Sequence, residues 1–223
     1  MTIPQAERAG PDVRTQILLF GAGGHGRVVF DVLDRQGLYE VTVVLDDGVE
    51  VGREFCGVPV SGGRERLREL DRLGIKHAIV AIGDNGIREQ VAGLLTEAHL
   101  SFVVAVDSSA QVGREVAIGA GTVVMPGVVV NAGTRIGEHV ILNTSCSVDH
   151  DCRIESFAHL SPGVHVGGGC TFGAGSHIGI GATVIEGIRV GARARIGAGA
   201  VVVDDIPDGV LAVGVPARPI RRR

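Results

Sequence analysis

Asp149-His150-Asp151 sets an imidazole between two carboxylates. A carboxylate beside a histidine raises its basicity and fixes its tautomer, which suits the ring to take a proton from a nucleophile near neutral pH. The same three residues on a solvated corner would be a surface charge cluster, and the sequence alone leaves both readings open. A second stretch with chemistry in it is Gly21-Ala22-Gly23-Gly24-His25-Gly26. Its glycines let backbone approach a phosphate, and a helix N-terminus behind them favours negative charge. His25 has little to pack against inside such a loop and is placed to bond a ligand. Asp46 and Asp47 follow at the separation from which an acidic residue bonds a base or ribose. A tight turn without a ligand is the competing reading.

The elements around the first stretch form a repeat. From Val112 to Val202 every sixth residue is bulky and apolar: Val112, Ile118, Val124, Val130, Ile136, Leu142 and onward. Two places before each following step the residue is mostly small, as at Thr122, Cys146, Cys152, Ala158, Cys170 and Ser176. The place after the bulky residue is often glycine, as at Gly113, Gly119, Gly137 and Gly167, or asparagine at Asn131 and Asn143. The expected physics is a bulky residue filling an interior, a small one beside it, and glycine or asparagine at a corner with positive φ. A register of six held this long points to stacked coils with one continuous core, and not to a β-sandwich.

The glycine-rich stretch belongs to a different pattern. Gln16–Phe20 reads as a buried strand, and an apolar-periodic helix follows from Arg27 to Gln36. Val41–Leu45 reads as a strand, Gly63–Leu73 as a charged amphipathic helix, His77–Ile82 as a strand, Ile87–Ala98 as a helix and Phe102–Val106 as a strand. Strands alternating with helices predict a small parallel α/β sheet. The expected divisions are a flexible lead-in over 1–15, an α/β nucleotide-sugar-binding domain over 16–106, and the repeat with a C-terminal tail over 107–223. The glycine fingerprint taken alone suggests NAD. The α/β part is too short for the usual double-wound sheet, and no domain for hydride transfer follows. A nucleotide-diphosphate sugar presents the same pyrophosphate and needs the same loop.

The 223 residues carry a net charge of −4 with no basic stripe, which argues against nucleic acid. Arg218, Arg221, Arg222 and Arg223 read as a solvated tail in preference to a phosphate site. No apolar run is long enough for a membrane span, and the N-terminus lacks the apolar core of a signal peptide. Among the cysteines, Cys146, Cys152 and Cys170 take the small interior place and read as buried small hydrophobes, which fits a reducing cytoplasm. His139, His165 and His177 read as exposed on faces or corners. Repeat proteins that hold zinc use a histidine pair five residues apart; no pair here has that spacing, so no metal is expected.

Taken together, GAGGHG at Gly21–Gly26, LDD at Leu45–Asp47, AIGDNGIR at Ala81–Arg88, ILNTSCSVDHDCRI at Ile141–Ile154, AHLSPG at Ala158–Gly163, IGIGATV at Ile178–Val184 and VGVPAR at Val213–Arg218 resemble the sialic-acid O-acetyltransferase-type sugar acyltransferases. Their order and spacing are most similar to the branch that N-acetylates nucleotide-linked 4-amino sugars of the bacillosamine and perosamine kind. The resemblance implies a Rossmann-like α/β domain followed by a left-handed parallel β-helix with three hexads to a coil. It implies His150 as general base supported by Asp151. Gly23, Gly24, His25, Asp46, Asp47 and Gly83 would hold the nucleotide-sugar, and His159, Ile180 and Ala198 acetyl-CoA, a co-substrate and not a bound cofactor. His159 lies half a coil from His150 and points away from it within one chain. A cleft shared by both therefore implies chains packed side by side, with a homotrimer as the natural closed form. His177 lies a whole coil after His159, so those rings are expected to stack. Sugar O-acetylation and a non-catalytic nucleotide-sugar scaffold are the alternative functions.

Overall fold

The computed structural model describes residues 14–220, with 70–73 as backbone alone. The lead-in residues 1–13 and residues 221–223 of the basic cluster lie outside the described residues. Thr15 already begins a strand, and Arg218 pairs with Asp204 at 2.7 Å. Two compact units divide between Ser108 and Ser109.

The first unit holds β1 (Thr15–Phe20), α1 (Gly24–Gln36), β2 (Tyr39–Leu45), β3 (His77–Val80), α2 (Asn85–Glu97) and β4 (Ser101–Phe102). All four strands are parallel, in the order β2-β1-β3-β4. Ile17, Leu18, Leu19 and Phe20 are all buried, as an apolar run in a sheet's centre must be. The chain moves outward from β1 to β2 on one side and from β3 to β4 on the other. Strand order therefore reverses between β1 and β3, where open α/β sheets bind ligands at their carboxyl ends.

Three elements differ from the sequence reading in kind or by more than two residues, and the ends of the others shift by at most two. The helix expected from Arg27 begins at Gly24, so His25 lies in a helical first turn and not in a loop. Glycine's poor helix propensity hid that turn, which the packing of Gly26 on Gly21 holds in place. The helix expected over Gly63–Leu73 is a 3₁₀ helix, Arg64–Leu73, started in the tighter winding by the bond from Arg66 N–H to Gly63 O at 3.1 Å. The expected strand Phe102–Val106 is two short ones, Ser101–Phe102 and Ala105–Val106.

The second unit is a parallel β-helix. Two-residue strands recur every six residues from Gln111–Val112 to Val201–Val202. As far as Thr183–Val184 each pairs with the strand eighteen residues on, as Val123–Val124 does with Ile141–Leu142, while Arg195–Ile196 pairs with Leu211–Ala212, sixteen on; three sheets form the three faces. The first face carries Ile141, His159, His177 and Arg195, and the second Ser147 and His165. The third carries Arg135, Arg153 and Arg189. The bulky places fill the interior, with Leu142, Val148, Leu160, Phe172 and Ile178 fully buried, each stabilising by about 1.5–3 kcal/mol. The small places are buried beside them, and Thr122, Thr134, Cys152 and Cys170 among them donate to backbone carbonyls of the adjoining coil. Thr122 Oγ1 donates to Gly137 O at 2.9 Å, and Cys170 Sγ donates to Ile185 O at 3.1 Å.

The glycines that follow the bulky residues have a different reason from the one expected. The positive-φ corners lie two places further on, at Gly121, Gly127, Gly133, Gly163, Asp151 and their equivalents. Gly119 and Gly173 are small because the next coil passes directly over them. A Cβ on Gly173 would sit 2.4 Å from Ala192 N. One exposure expectation also fails: His139 is buried at a corner and stacks on Phe157, one coil later, at 5.0 Å. A corner residue is covered wherever the next coil supplies a ring.

Candidate active site

His150 stands at the corner between the second and third faces, exposed to solvent. Its Nδ1 lies 2.9 Å from Asp151 Oδ2. A carboxylate only accepts, so Nδ1 carries the proton and Nε2 presents a lone pair. The hydrogen bond to Asp151 and the charge of Asp149 raise the pKa of His150. Asp149 is held in turn: its Oδ1 accepts from Asn131 Nδ2 at 2.8 Å and from the His150 amide at 2.8 Å, and these bonds keep its pKa low. Thr134 Oγ1 donates to Asp149 O at 2.9 Å, fixing the backbone of the corner from one coil earlier. Neutral His150 thus has the geometry of a general base, with its second carboxylate braced and not mobile.

One coil later the chain makes room for this ring. A Cβ on Gly168 would lie 2.7 Å from His150 Nε2. Gly168→Ala is expected to push a methyl group onto the atom that takes the proton, and to cost about a hundredfold in kcat/KM at an unchanged melting temperature. Steady-state kinetics beside a thermal melt checks this; full activity in the variant would show that Nε2 is not the working atom.

A groove of about 620 Å³ runs along the first face. His159, Ile180 and Ala198, expected together from the sequence, all line it. So do Asn143, Ser161, His177 and Arg195, which sequence reasoning did not assign. The His159 and His177 rings lie in contact, as their spacing implied, with centroids 4.7 Å apart, but tilted by 34° and not stacked in parallel. Thr144 N–H donates to Asn143 Oδ1 at 2.9 Å, which turns the amide's Nδ2 toward His159 Nε2 at 3.1 Å. Nε2 therefore accepts, and the proton of neutral His159 is on Nδ1. His165 stands on the second face with its Nδ1 2.8 Å from Ser147 Oγ, away from this groove. The groove is polar at its histidine end and apolar at Pro162, Ile180, Ile196 and Leu211, with the cation of Arg195 on its wall. That combination suits an extended chain with amides, a thioester and phosphates.

In the first unit the glycine-rich stretch lies at the carboxyl end of β1, and Ile82–Asn85 at the carboxyl end of β3. A Cβ on Gly21 would lie 2.6 Å from Ala81 O, so the two segments pack at the point where strand order reverses. Gly23 and Gly24 face open space, where a Cβ would meet nothing within 4 Å. With Ala22, Arg27, Val49, Arg53, Glu54 and Phe55 they line a cavity of about 370 Å³. Arg27 and Arg53 put two guanidinium groups beside the glycines, a charge suited to a diphosphate. Asp46 braces the loop, accepting from Ala22 N–H at 2.7 Å and Gly48 N–H at 2.8 Å. Asp47 is tied to Arg64 at 2.6 Å, which holds its carboxyl below the usual range. His25 is half-buried, and burial, with Arg88 nearby, lowers its pKa to about 4. It is a neutral hydrogen-bonding group there and not a cation. Gly83 lies in the Ile82–Asn85 segment.

Among the described residues no group of three or more His, Cys, Asp or Glu side chains is placed to hold a metal ion, and no helix is long and apolar enough to cross a membrane.

Residues 16–95 match the PglD N-terminal domain family. The chain is similar to UDP-N-acetylbacillosamine N-acetyltransferase of Bacillus subtilis, 37% identical over 114 residues. That match takes in 49% of this chain and spans about half the length of the curated relative. Among solved structures, GDP-perosamine N-acetyltransferase of Caulobacter crescentus, a histidine-to-alanine variant in complex with CoA and GDP-perosamine, is 38% identical with a TM-score of 0.90. The likeness covers 94% of this chain and 99% of that one. The acetyltransferase domain of PglB from Neisseria gonorrhoeae, in complex with acetyl coenzyme A, is 36% identical with a TM-score of 0.86, over 93% and 100% of the two chains.

Proposed function

The chain belongs to the hexapeptide-repeat acetyltransferases of nucleotide-linked amino sugars, and from that premise we propose that it moves acetyl from acetyl-CoA to the 4-amino group of a nucleotide-diphosphate-linked deoxy sugar. The observation that carries the reading is the His150–Asp151 pair, with the proton fixed on Nδ1, Nε2 left to accept, and the ring exposed at its corner. The sugar amine attacks the thioester carbonyl, Nε2 of His150 takes the amine's proton, and the tetrahedral intermediate expels the CoA thiolate. The proton passes on to that thiolate, so amide and CoA thiol leave and the base is restored. No acyl-enzyme is needed.

In this reading Asp151 supports His150. Gly23, Gly24, His25, Asp46, Asp47 and Gly83 hold the nucleotide-sugar, joined by Arg27 and Arg53 on its phosphates. His159, Ile180 and Ala198 hold acetyl-CoA. His159 and His150 lie on different sides of one β-helix. A donor bound at one chain's His159 therefore meets the base of a second chain, which supports a homotrimer with active sites between subunits. The free thiols Cys146, Cys152 and Cys170 in the core suit a reducing cytoplasm.

Release of CoA thiol from acetyl-CoA, with UDP-, GDP- and dTDP-linked 4-amino-4,6-dideoxy sugars supplied singly, tests this. Turnover with one of them and a base-stable amide product is the expected result. A base-labile ester would move the assignment to a hydroxyl acceptor, and no release with any sugar would remove it.

A further inference from the structure

Arg88 is the largest fully buried side chain among the described residues, at 1% exposure. It stands in the first turn of α2 and reaches back beneath the segment that precedes it. Its Nη1 donates to Ile82 O at 3.0 Å and to Gly83 O at 3.2 Å, and its Nη2 to Asn85 Oδ1 at 2.9 Å. The neighbouring Asp84 carboxylate is used as the helix cap, accepting from Ile87 N–H at 2.9 Å. Burying a guanidinium is expensive even where carbonyl oxygens accept from it and a carboxylate, here that of Asp84, lies near enough to favour its charge. Burial shows in the side chain itself, whose pKa falls to about 10, so it stays charged at neutral pH. A hydrophobic residue of similar size would fill this space at lower cost if packing were the only requirement. The site is the strand-order reversal between β1 and β3, beside the glycine-rich turn. In a trans peptide the N–H is opposite the carbonyl, so drawing the Ile82 and Gly83 carbonyls inward turns the Gly83 and Asp84 amides away from Arg88.

We propose that Arg88 is a positioning residue for the nucleotide-sugar: a fixed buried cation that sets the backbone of Ile82–Asn85 and whose field favours a diphosphate at the strand-order reversal. This rests on the nucleotide-sugar reading of that site. It assigns a role to a side chain that touches neither reacting atom. The low pKa of His25, to which Arg88 contributes, fits the same positive field.

The test is calorimetric binding of GDP, UDP and dTDP, each alone, to the full chain and to Arg88→Met, Arg88→Lys and Asn85→Ala, with acetyl-CoA titrated in parallel. Arg88→Met is expected to weaken the diphosphate that binds by ten- to a hundredfold while acetyl-CoA binds as before. Arg88→Lys keeps the charge and loses the fork, and should recover part of that loss. Where Arg88→Met does not fold, the lysine and Asn85→Ala variants carry the test, each with a loss of several-fold expected for the diphosphate alone. Equal diphosphate affinity in the folded variants, or a matching loss for acetyl-CoA, overturns the role of Arg88 and leaves the function untouched. A wild-type chain that binds none of the three diphosphates, while still binding acetyl-CoA, overturns both.

Discussion

Replacing His150 by alanine is expected to lower kcat by about a hundred- to ten-thousandfold, the range a positioned general base supplies, with the melting temperature unchanged. The ring is exposed and packs into no core, so its loss removes chemistry and not stability. A non-catalytic scaffold would lose nothing measurable. Asp151→Asn separates the base from a bystander more finely. The base works as neutral imidazole, so kcat/KM rises as pH climbs through the pKa of His150. Asp151 raises that pKa first through its hydrogen bond, and Asp149 adds to it. Removing the Asp151 charge lowers it, so the acid limb of the profile should move to lower pH. The plateau should fall as well, because Nδ1–H loses its anchor and Nε2 its enforced lone pair. A pH–rate profile of both proteins decides this. An acid limb that stays in place in Asp151→Asn would mean that another group titrates in the rate.

Much of this molecule was legible because its two periodicities are simple. A six-residue register can only be satisfied by stacked coils, and bulky residues at Leu142, Leu160 and Ile178 announced an interior shared between them. The strand–glycine–helix order likewise announced a parallel sheet. What stayed hidden lives at a separation of eighteen residues, where sequence neighbours give no hint. Asn131 braces Asp149, Gly168 clears space for His150, and Phe157 covers His139. Each partner stands one coil away and could have been found by reading down the faces and not along the chain. Arg27, Arg53 and Arg88 were hidden for another reason. An arginine on an amphipathic helix or a polar loop looks solvated, and only the sheet's strand order shows that these converge on one edge. The misreading of Gly113 and Gly119 has the same root, since a close approach between coils leaves the same residue type as a positive φ.

The glycine-rich turn makes this distinction testable within six residues. Gly26 is buried in the first turn of α1, and a Cβ there would lie 2.0 Å from the carbonyl oxygen of Gly21 and 3.2 Å from Phe55. The first obstacle is backbone, which cannot rotate aside. Gly26→Ala must therefore lift α1 from β1, opening the core around Val29 and Leu33. The expected cost is about 3 kcal/mol, at the upper end of ordinary overpacking, with weakened nucleotide-sugar binding as its consequence. Gly23→Ala is the counterpart. No protein atom lies within 4 Å of the added methyl group, so folding should be unaffected. The methyl group would stand where a phosphate needs the backbone to come close, so KM for the nucleotide-sugar should rise about tenfold or more. Denaturant unfolding beside steady-state kinetics reads both. Stability lost at Gly26 with binding lost at Gly23 would separate the glycine that builds the turn from the glycine that serves the ligand. A Gly23→Ala protein with unchanged KM would return this turn to plain architecture and move the diphosphate elsewhere in the unit.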